Sequence, residues 1–188
     1  MQIKKEEKKT RILSAATRLF SERDFQEVSV NDIARIAGVG KGTIYTYFKE
    51  KEEILEACVA EIFSDFVDKI RSSYEEAKSL SSFIERVAPR LLENVVVNSR
   101  ILFMFNRKCH SDRKRYRKVS GEYRKAMAEV FQRYGKEMSC NFETMNAYFT
   151  AFLMTSYMVY ESVDKEIIEE VLTRGLLCSL RGCGQDKV

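Results

Sequence analysis

Proline, glycine, histidine and tryptophan are scarce in this chain, and their scarcity excludes several classes of protein. The 188 residues include one proline, eight glycines, one histidine and no tryptophan. A many-stranded sandwich or barrel needs turn residues about every 8 to 12 positions, so this composition predicts an all-α chain instead. With one histidine and neither a G-x-S-x-G nor an H-E-x-x-H motif, an enzyme is the weaker starting hypothesis.

Long apolar runs and paired cysteines are also lacking. No stretch approaches the roughly 18 uninterrupted apolar residues of a membrane span, and residues 1–9 are charged, so neither a membrane nor a secreted protein is expected. An odd number of cysteines without a C-x-x-C pair predicts reduced thiols in a cytoplasmic protein, with no metal or other cofactor. The five cysteines are Cys58, Cys109, Cys140, Cys178 and Cys183.

The N-terminal 50 residues carry the spacing of three helices. Ile12, Ala16 and Leu19 lie on one stripe of an amphipathic first helix. Ser29 followed by Asp32 predicts a capping box, and a second helix should begin at Val30. Gly38-Val39-Gly40 should end that helix, and a third, very short helix is expected over residues 41–47. Its spacing predicts that Ile44 and Phe48 face inward and that the outward residues are Lys41, Gly42, Tyr45 and Thr46. Two short helices joined by a glycine turn predict a helix-turn-helix.

The remainder of the chain predicts a larger helical region. We expect a long helix over residues 51–72 that links an N-terminal helix-turn-helix domain, 1–50, to a C-terminal helical domain, 51–188. No period of 20 to 50 residues recurs, which disfavours a helical solenoid. Further helices are predicted at 80–96, 99–108, 114–135, 142–160 and 166–181.

The chemistry of the third predicted helix fits duplex DNA. About seven helical residues span roughly 10 Å, a length that the major groove accommodates. Gly42 would let the backbone approach the bases closely, and Lys41 and Thr46 are the expected readers of base edges. Hydroxyls and a charge near the same surface could bind phosphate oxygens. The expected phosphate contacts are Thr43, Tyr45, Tyr47 and Lys51.

Residues 33–52, IARIAGVGKGTIYTYFKEKE, closely resemble the signature of the tetracycline-repressor (TetR) family of bacterial transcription regulators. The resemblance extends over roughly residues 8–60. It implies contacts to double-stranded operator DNA, a homodimer and, by the usual behaviour of the family, repression. Gly40 departs from the pattern, because the family often has serine there. By resemblance, phosphates are contacted by Thr43, Tyr45, Tyr47 and Lys51, and bases by Lys41, Gly42, Tyr45 and Thr46.

A second basic feature lies at residues 107–118, which contain seven Lys and Arg but only one acidic residue. We favour a solvated helix start as its explanation. Two functional alternatives stay open: a mouth that attracts an anionic effector such as an acyl-thioester, or a flank that touches the DNA backbone.

The last two predicted helices are apolar on more than one side, which indicates a dimer interface. A two-fold dimer would place two recognition helices about 34 Å apart, in successive major grooves. The predicted interface residues are Phe149, Phe152, Leu153, Ile167, Val171, Leu172, Leu176 and Leu180.

Bulky aromatic and methionine residues after position 50 indicate a pocket for a small, mostly apolar effector that releases the protein from its operator. The alternatives are a DNA-binding regulator gated by cysteine oxidation, an effector-independent DNA-binding protein, and a small helical enzyme. The predicted pocket residues are Phe63, Phe66, Phe83, Phe103, Met104, Tyr123, Met127, Phe131, Tyr148 and Phe152.

Overall fold

The computed structural model describes residues 2–109, 113–159 and 165–181, and every regular element within these ranges is a helix. The prediction of an all-α fold is confirmed. Nine α-helices and one 3₁₀ turn are described: α1 (Gln2–Glu22), α2 (Val30–Ala37), α3 (Lys41–Tyr47), α4 (Lys51–Glu76), α5 (Leu80–Cys109), α6 (Arg113–Val119), α7 (Gly121–Tyr134), the 3₁₀ turn Gly135–Glu137, α8 (Phe142–Val159) and α9 (Lys165–Arg181).

The chain divides into two compact units. The first unit consists of Met1–Ile62 and Asn98–Val119, and the second of Phe63–Val97 and Ser120–Val188. Both units are discontinuous in sequence because α4 and α5 each contribute residues to both. The first unit is therefore larger than the continuous segment 1–50 that the sequence assigned to DNA binding.

The predicted capping box begins α2. The Ser29 hydroxyl accepts a hydrogen bond from the Asp32 N–H (3.1 Å), and the Asp32 carboxylate accepts one from the Ser29 N–H (3.2 Å). These hydrogen bonds satisfy N–H groups that the start of a helix leaves without partners. Gly38 ends the helix at φ +63°, a left-handed conformation that glycine adopts without strain.

One arginine joins α1 to the end of α2. The Arg11 guanidinium donates to the carbonyls of Ala37 (2.5 Å) and Gly38 (3.1 Å), the last acceptors of the helix. A Cβ atom at Gly38 would lie 2.5 Å from Arg11 Nη2, so a side chain there would displace this arginine. The glycine turn is thus required both by its φ angle and by a close neighbour.

Helix α5 differs from the prediction of two helices at 80–96 and 99–108. It is one helix of 30 residues that contains Pro89. Residues 97–98 do not end it, because Val95 and Ile101 on either side are both fully buried and their packing maintains the helix. Conversely, the single helix predicted at 114–135 is two helices, which separate at the Ser120-Gly121 pair.

The second unit ties the end of α4 to α7. Arg133 donates to the carbonyls of Tyr74 (2.9 Å) and Ala77 (3.0 Å), and the buried Tyr134 hydroxyl also donates to the Ala77 carbonyl (3.1 Å). Carbonyls at a helix end lack partners within the helix and attract cations, so these donors stabilise the end of α4. No helix in the described part of the chain is long and apolar enough to cross a membrane.

Candidate nucleic-acid interface

Two buried residues hold α3 against the first unit. Ile44 and Phe48 are almost fully buried, four positions apart. The spacing of these residues leaves Lys41, Tyr45 and Thr46 on the opposite, exposed side. The sequence predicted both the inward pair and the outward face, since a helix this short has room for only one buried stripe.

The exposed face of α3 carries a cation, a phenol and an open glycine. Tyr45 is 48% exposed, and the Lys41 ammonium lies 6.0 Å from the centroid of its ring. The Thr46 hydroxyl donates to the Gly42 carbonyl (3.0 Å), so its lone pairs remain able to accept. A Cβ atom on Gly42 would meet no atom of the described residues within 4 Å. The fold itself therefore does not require glycine at position 42.

Tyr47 interacts with α1 in this structure. It is half-buried, and its hydroxyl donates to the carbonyl of Lys5 (3.0 Å). The phenol proton is therefore used within the protein, whereas a phosphate contact would require it as a donor. The sequence could not indicate this partner, which lies 42 positions away.

Lys51 is also engaged inside the unit. Its ammonium donates to the carbonyls of Phe25 (2.5 Å) and Val28 (2.7 Å), and it lies 4.2 Å from the centroid of the Phe25 ring. Burial lowers the pKa of Lys51, and the positive charge of Lys108 lowers it further, against an opposing effect of Glu52. Lys51 thus fastens α4 to the loop before α2.

The described residues of the basic segment 107–118 belong to this same unit. Arg115 on α6 forms ion pairs with Glu50 (2.5 Å) and Glu56 (3.1 Å), at the start of α4. Lys108 lies 4.4 Å from the centroid of the Phe25 ring, on the loop after α1. Residues 110–112 and the side chain of Arg113 lie outside the described residues.

The predicted pocket residues are distributed over both units. Phe103 and Met104 lie in the first unit, and the other eight lie in the second. Within the second unit, the Phe63 ring lies 5.7 Å from both the Phe66 and the Tyr123 rings. Buried side chains are Phe63, Phe66, Phe83, Met104, Tyr123, Met127 and Phe152; Phe131 is half-buried, and Phe103 and Tyr148 are exposed.

The predicted interface residues separate into buried and exposed groups. Ile167 and Val171 on α9 are 51% and 61% exposed. The predicted interface did not include small residues on the same exposed sides of α8 and α9, which are Ala147, Ala151, Gly175 and Cys178. Buried within the chain itself are Phe149, Phe152, Leu176 and Leu180, and the side chains of Leu153 and Leu172 lie outside the described residues.

The described cysteines do not share one environment. Burial raises the pKa of Cys58 to about 12 and also raises the pKa of Cys140, so both remain protonated thiols at neutral pH. Cys178 is exposed on α9. The side chain of Cys109, and His110 and Cys183, lie outside the described residues, among which no cluster of metal-binding side chains occurs.

This arrangement defines a class of protein. A capped helix is followed by a glycine turn and then by a short helix that has one buried stripe and one exposed polar face. This order is the helix-turn-helix of DNA-binding proteins.

Comparison with known proteins identifies relatives of the N-terminal segment. Residues 12–58 match the model of the bacterial regulatory proteins of the tetR family. The uncharacterised HTH-type transcriptional regulator YhgD of Bacillus subtilis is 38% identical over 71 residues, 38% of this chain and 35% of that protein. The matches to curated relatives thus span about a third of those proteins' length.

Similarity of fold extends over nearly the whole chain. The fatty acid degradation regulator FadR of Bacillus halodurans has a TM-score of 0.75 at 22% identity, covering 94% of this chain and 96% of that one. FadR of Bacillus subtilis, solved with stearoyl-CoA, has a TM-score of 0.71 at 19% identity, covering 93% and 99%. The N-terminal segment is therefore a tetR-family domain, on a chain with the fold of TetR-family regulators, and the resemblance noted in residues 33–52 is confirmed.

Proposed function

We propose that this chain is a ligand-responsive DNA-binding transcriptional regulator of the cytoplasm, and specifically a repressor. Helix α3 would enter the major groove with Lys41, Tyr45 and Thr46 toward the base edges. Thr43 would add a phosphate contact beside them. Tyr47 and Lys51, which the resemblance assigns to phosphates, would hold α3 and α4 in position through their contacts to the backbone of this unit.

The observation that carries this proposal is the open glycine in α3. Glycine in a helix costs about 1 kcal/mol relative to alanine, and no described residue occupies the space beside Gly42. A missing side chain on an exposed helix face is explained by an external surface that approaches it closely. The edge of a base pair is such a surface.

A homodimer would supply a second recognition helix, α3 of the other chain. Tyr148, Ile167 and Val171 expose apolar surface on α8 and α9, and small residues beside them allow helices to pack closely. We place the interface on this exposed side. Phe149, Leu176 and Leu180 would support it from within each chain.

The effector would be small and mostly apolar. Aromatic side chains around Phe63 cluster in the second unit. FadR of Bacillus subtilis, which has a similar fold, was solved with stearoyl-CoA, whose acyl chain is apolar. A ligand that binds better to the conformation unable to bind DNA would release the operator, with a coupling of about 1 to 3 kcal/mol. DNA would weaken ligand binding by the same factor.

The test begins with a duplex that the wild-type protein selects from a random-sequence pool. Gly42→Ala should fold as stably as the wild type or up to about 1 kcal/mol more stably, since alanine favours helix and meets no neighbour. Its affinity for the selected duplex should fall at least about tenfold, because the added methyl group would separate α3 from the base edges. Fluorescence anisotropy and chemical denaturation measure the two effects.

Gly121→Ala is the matched control, because a Cβ atom there also meets nothing within 4 Å. It should leave DNA affinity unchanged. Failure of the wild type to select any duplex, or full affinity of Gly42→Ala, would count against the proposal.

A further inference from the structure

The first unit owes its positive charge to a segment outside the helix-turn-helix. Residues 1–62 contain 11 Lys and Arg against 11 Asp and Glu, which makes them neutral. Residues 98–119 contain eight Lys and Arg against one Asp, a net charge of +7. The rest of the chain carries −3, with 13 basic and 16 acidic residues. The excess positive charge that would attract a polyanion to this unit therefore comes from the segment 98–119.

Contacts within the unit fix this segment beside the start of α4. Arg115 pairs with Glu50, which follows the end of α3 by three residues, and with Glu56 one and a half turns further along α4. The Arg100 guanidinium donates to the carbonyl of Glu22 (2.8 Å), and the rings of Phe105 and Tyr116 stack at 6.1 Å. The basic segment is thus packed against the DNA-binding helices.

Arg115 also changes the electrostatics of α3's surroundings. Glu50 and Glu56 would repel a phosphate that approached the start of α4. Their ion pairs with Arg115 neutralise part of that charge. Lys114, Arg117 and Lys118 are exposed on a different side of α6 from Arg115. Because neighbours three and four positions apart share a helix face, these three form one basic surface, which we call the α6 basic face.

We propose that the α6 basic face binds the phosphate backbone of duplex DNA outside the base pairs that α3 reads. This inference rests on the proposed function. Such contacts carry no sequence information, but they release counterions and strengthen binding to every sequence alike. Of the two functional alternatives for residues 107–118, this proposal favours contact with the DNA backbone over binding of an anionic effector.

The test is the salt dependence of DNA binding. The variant Lys114→Gln/Arg117→Gln/Lys118→Gln removes three charges while keeping residues that favour helix. Lys78→Gln/Lys125→Gln/Lys136→Gln, on exposed positions of the second unit, makes the same change in net charge. Each protein is titrated with the selected duplex and with a mixed-sequence duplex of equal length, between about 50 and 200 mM salt.

We expect the slope of log affinity against log salt to become shallower by about 2 to 3 for the α6 variant alone. Both duplexes should be weakened by the same factor, so that the ratio of their affinities is unchanged. Thermal unfolding of both variants should match the wild type. The single variant Lys118→Gln, with an expected change of about 1, provides a second measurement that disturbs the helix less.

An unchanged salt slope for the α6 variant would overturn the proposal. Equal losses of DNA affinity in both triple variants would also overturn it, because they would indicate only long-range attraction. Weaker binding of stearoyl-CoA together with unchanged DNA binding would overturn it in favour of an anionic ligand. If the wild-type protein selects no duplex, the proposed function itself fails, and the inference with it.

Discussion

At the scale of single residues, the sequence specifies chemical groups, and the fold decides what those groups meet. Lys51 stands where tetR-family resemblance implies a phosphate contact, yet its ammonium binds the carbonyls of Phe25 and Val28. These partners lie 26 and 23 positions away, so no local pattern could indicate them. The hydrogen bond from Tyr47 to the Lys5 carbonyl could not be predicted for the same reason, because its partner lies 42 positions away. Helical spacing, by contrast, was enough to identify Ile44 as buried and Tyr45 as exposed.

We predict that Lys51→Met destabilises the first unit. Methionine can replace the alkyl stem over the Phe25 ring, but it leaves two partly buried carbonyls without their donor, at a cost of about 1 to 3 kcal/mol. Chemical denaturation of the full chain measures the change. Lys49→Met, at an exposed position two residues earlier, is the control and should change stability by less than about 0.5 kcal/mol. Unchanged stability of Lys51→Met would contradict a stabilising role for the hydrogen bonds of Lys51.

At the scale of helices, the boundaries of α2 followed the sequence because local hydrogen bonds define them. The capping box of Ser29 and Asp32 and the left-handed Gly38 bound α2 as predicted. Prediction was wrong for α5, where packing of buried residues on both sides of 97–98 continues the helix. It was wrong again at Ser120-Gly121, where the chain leaves one helix and starts another. Caps act within a few residues, whereas packing depends on distant ones.

The cap of α2 should make stability depend on pH. The pKa of Asp32 is lowered below its usual value of 3.8, first by the hydrogen bond from the Ser29 hydroxyl and then by that from the Ser29 N–H. A carboxyl with a lowered pKa stabilises the folded state above its unfolded pKa, and this contribution disappears as the pH falls through the folded value. Unfolding free energies of the wild type and Asp32→Asn should therefore differ at about pH 6 and converge below about pH 4.

Asp24→Asn is the control for this measurement, because it removes a carboxylate from an exposed position near the same loop. It should show no comparable convergence. A constant difference between wild type and Asp32→Asn down to about pH 3 would contradict the assignment of the lowered pKa to this cap.

At the scale of the whole molecule, the chain forms two units, each assembled from separated stretches of sequence. The first unit holds the helix-turn-helix, and 98–119 supplies its net positive charge. The second unit holds the aromatic cluster and exposes apolar side chains on α8 and α9. The fold is similar to that of TetR-family structures over nearly the full length, whereas the family model matches only residues 12–58.

The exposed apolar side of α9 leads to a prediction about assembly. Ile167→Glu/Val171→Glu should convert a dimer to a monomer, since burying two carboxylates against their copies is unfavourable. Both side chains are more than half exposed, so the fold of each chain should persist. Sedimentation equilibrium measures the mass, and affinity for the selected duplex should fall because only one half-site would be read at a time.

Val97→Glu serves as the control, because Val97 on α5 is an exposed apolar residue outside α8 and α9. It should remain dimeric. A dimeric double variant would move the interface to another surface, and a monomeric wild type would exclude the proposed pairing of recognition helices altogether.

The sequence by itself determined the helical class, the caps of α2, the two sides of α3 and the tetR-family domain, because each of these depends on residues within a few turns of one another. Only the tertiary structure decided that Tyr47 and Lys51 bind backbone carbonyls, that Arg115 reaches Glu50, and that Phe149, Leu176 and Leu180 are buried within the chain while Ile167 and Val171 are exposed. The physical reason is one of range. Hydrogen bonds of caps and helical periodicity act locally, whereas burial and ion pairing depend on which distant segments the fold brings together.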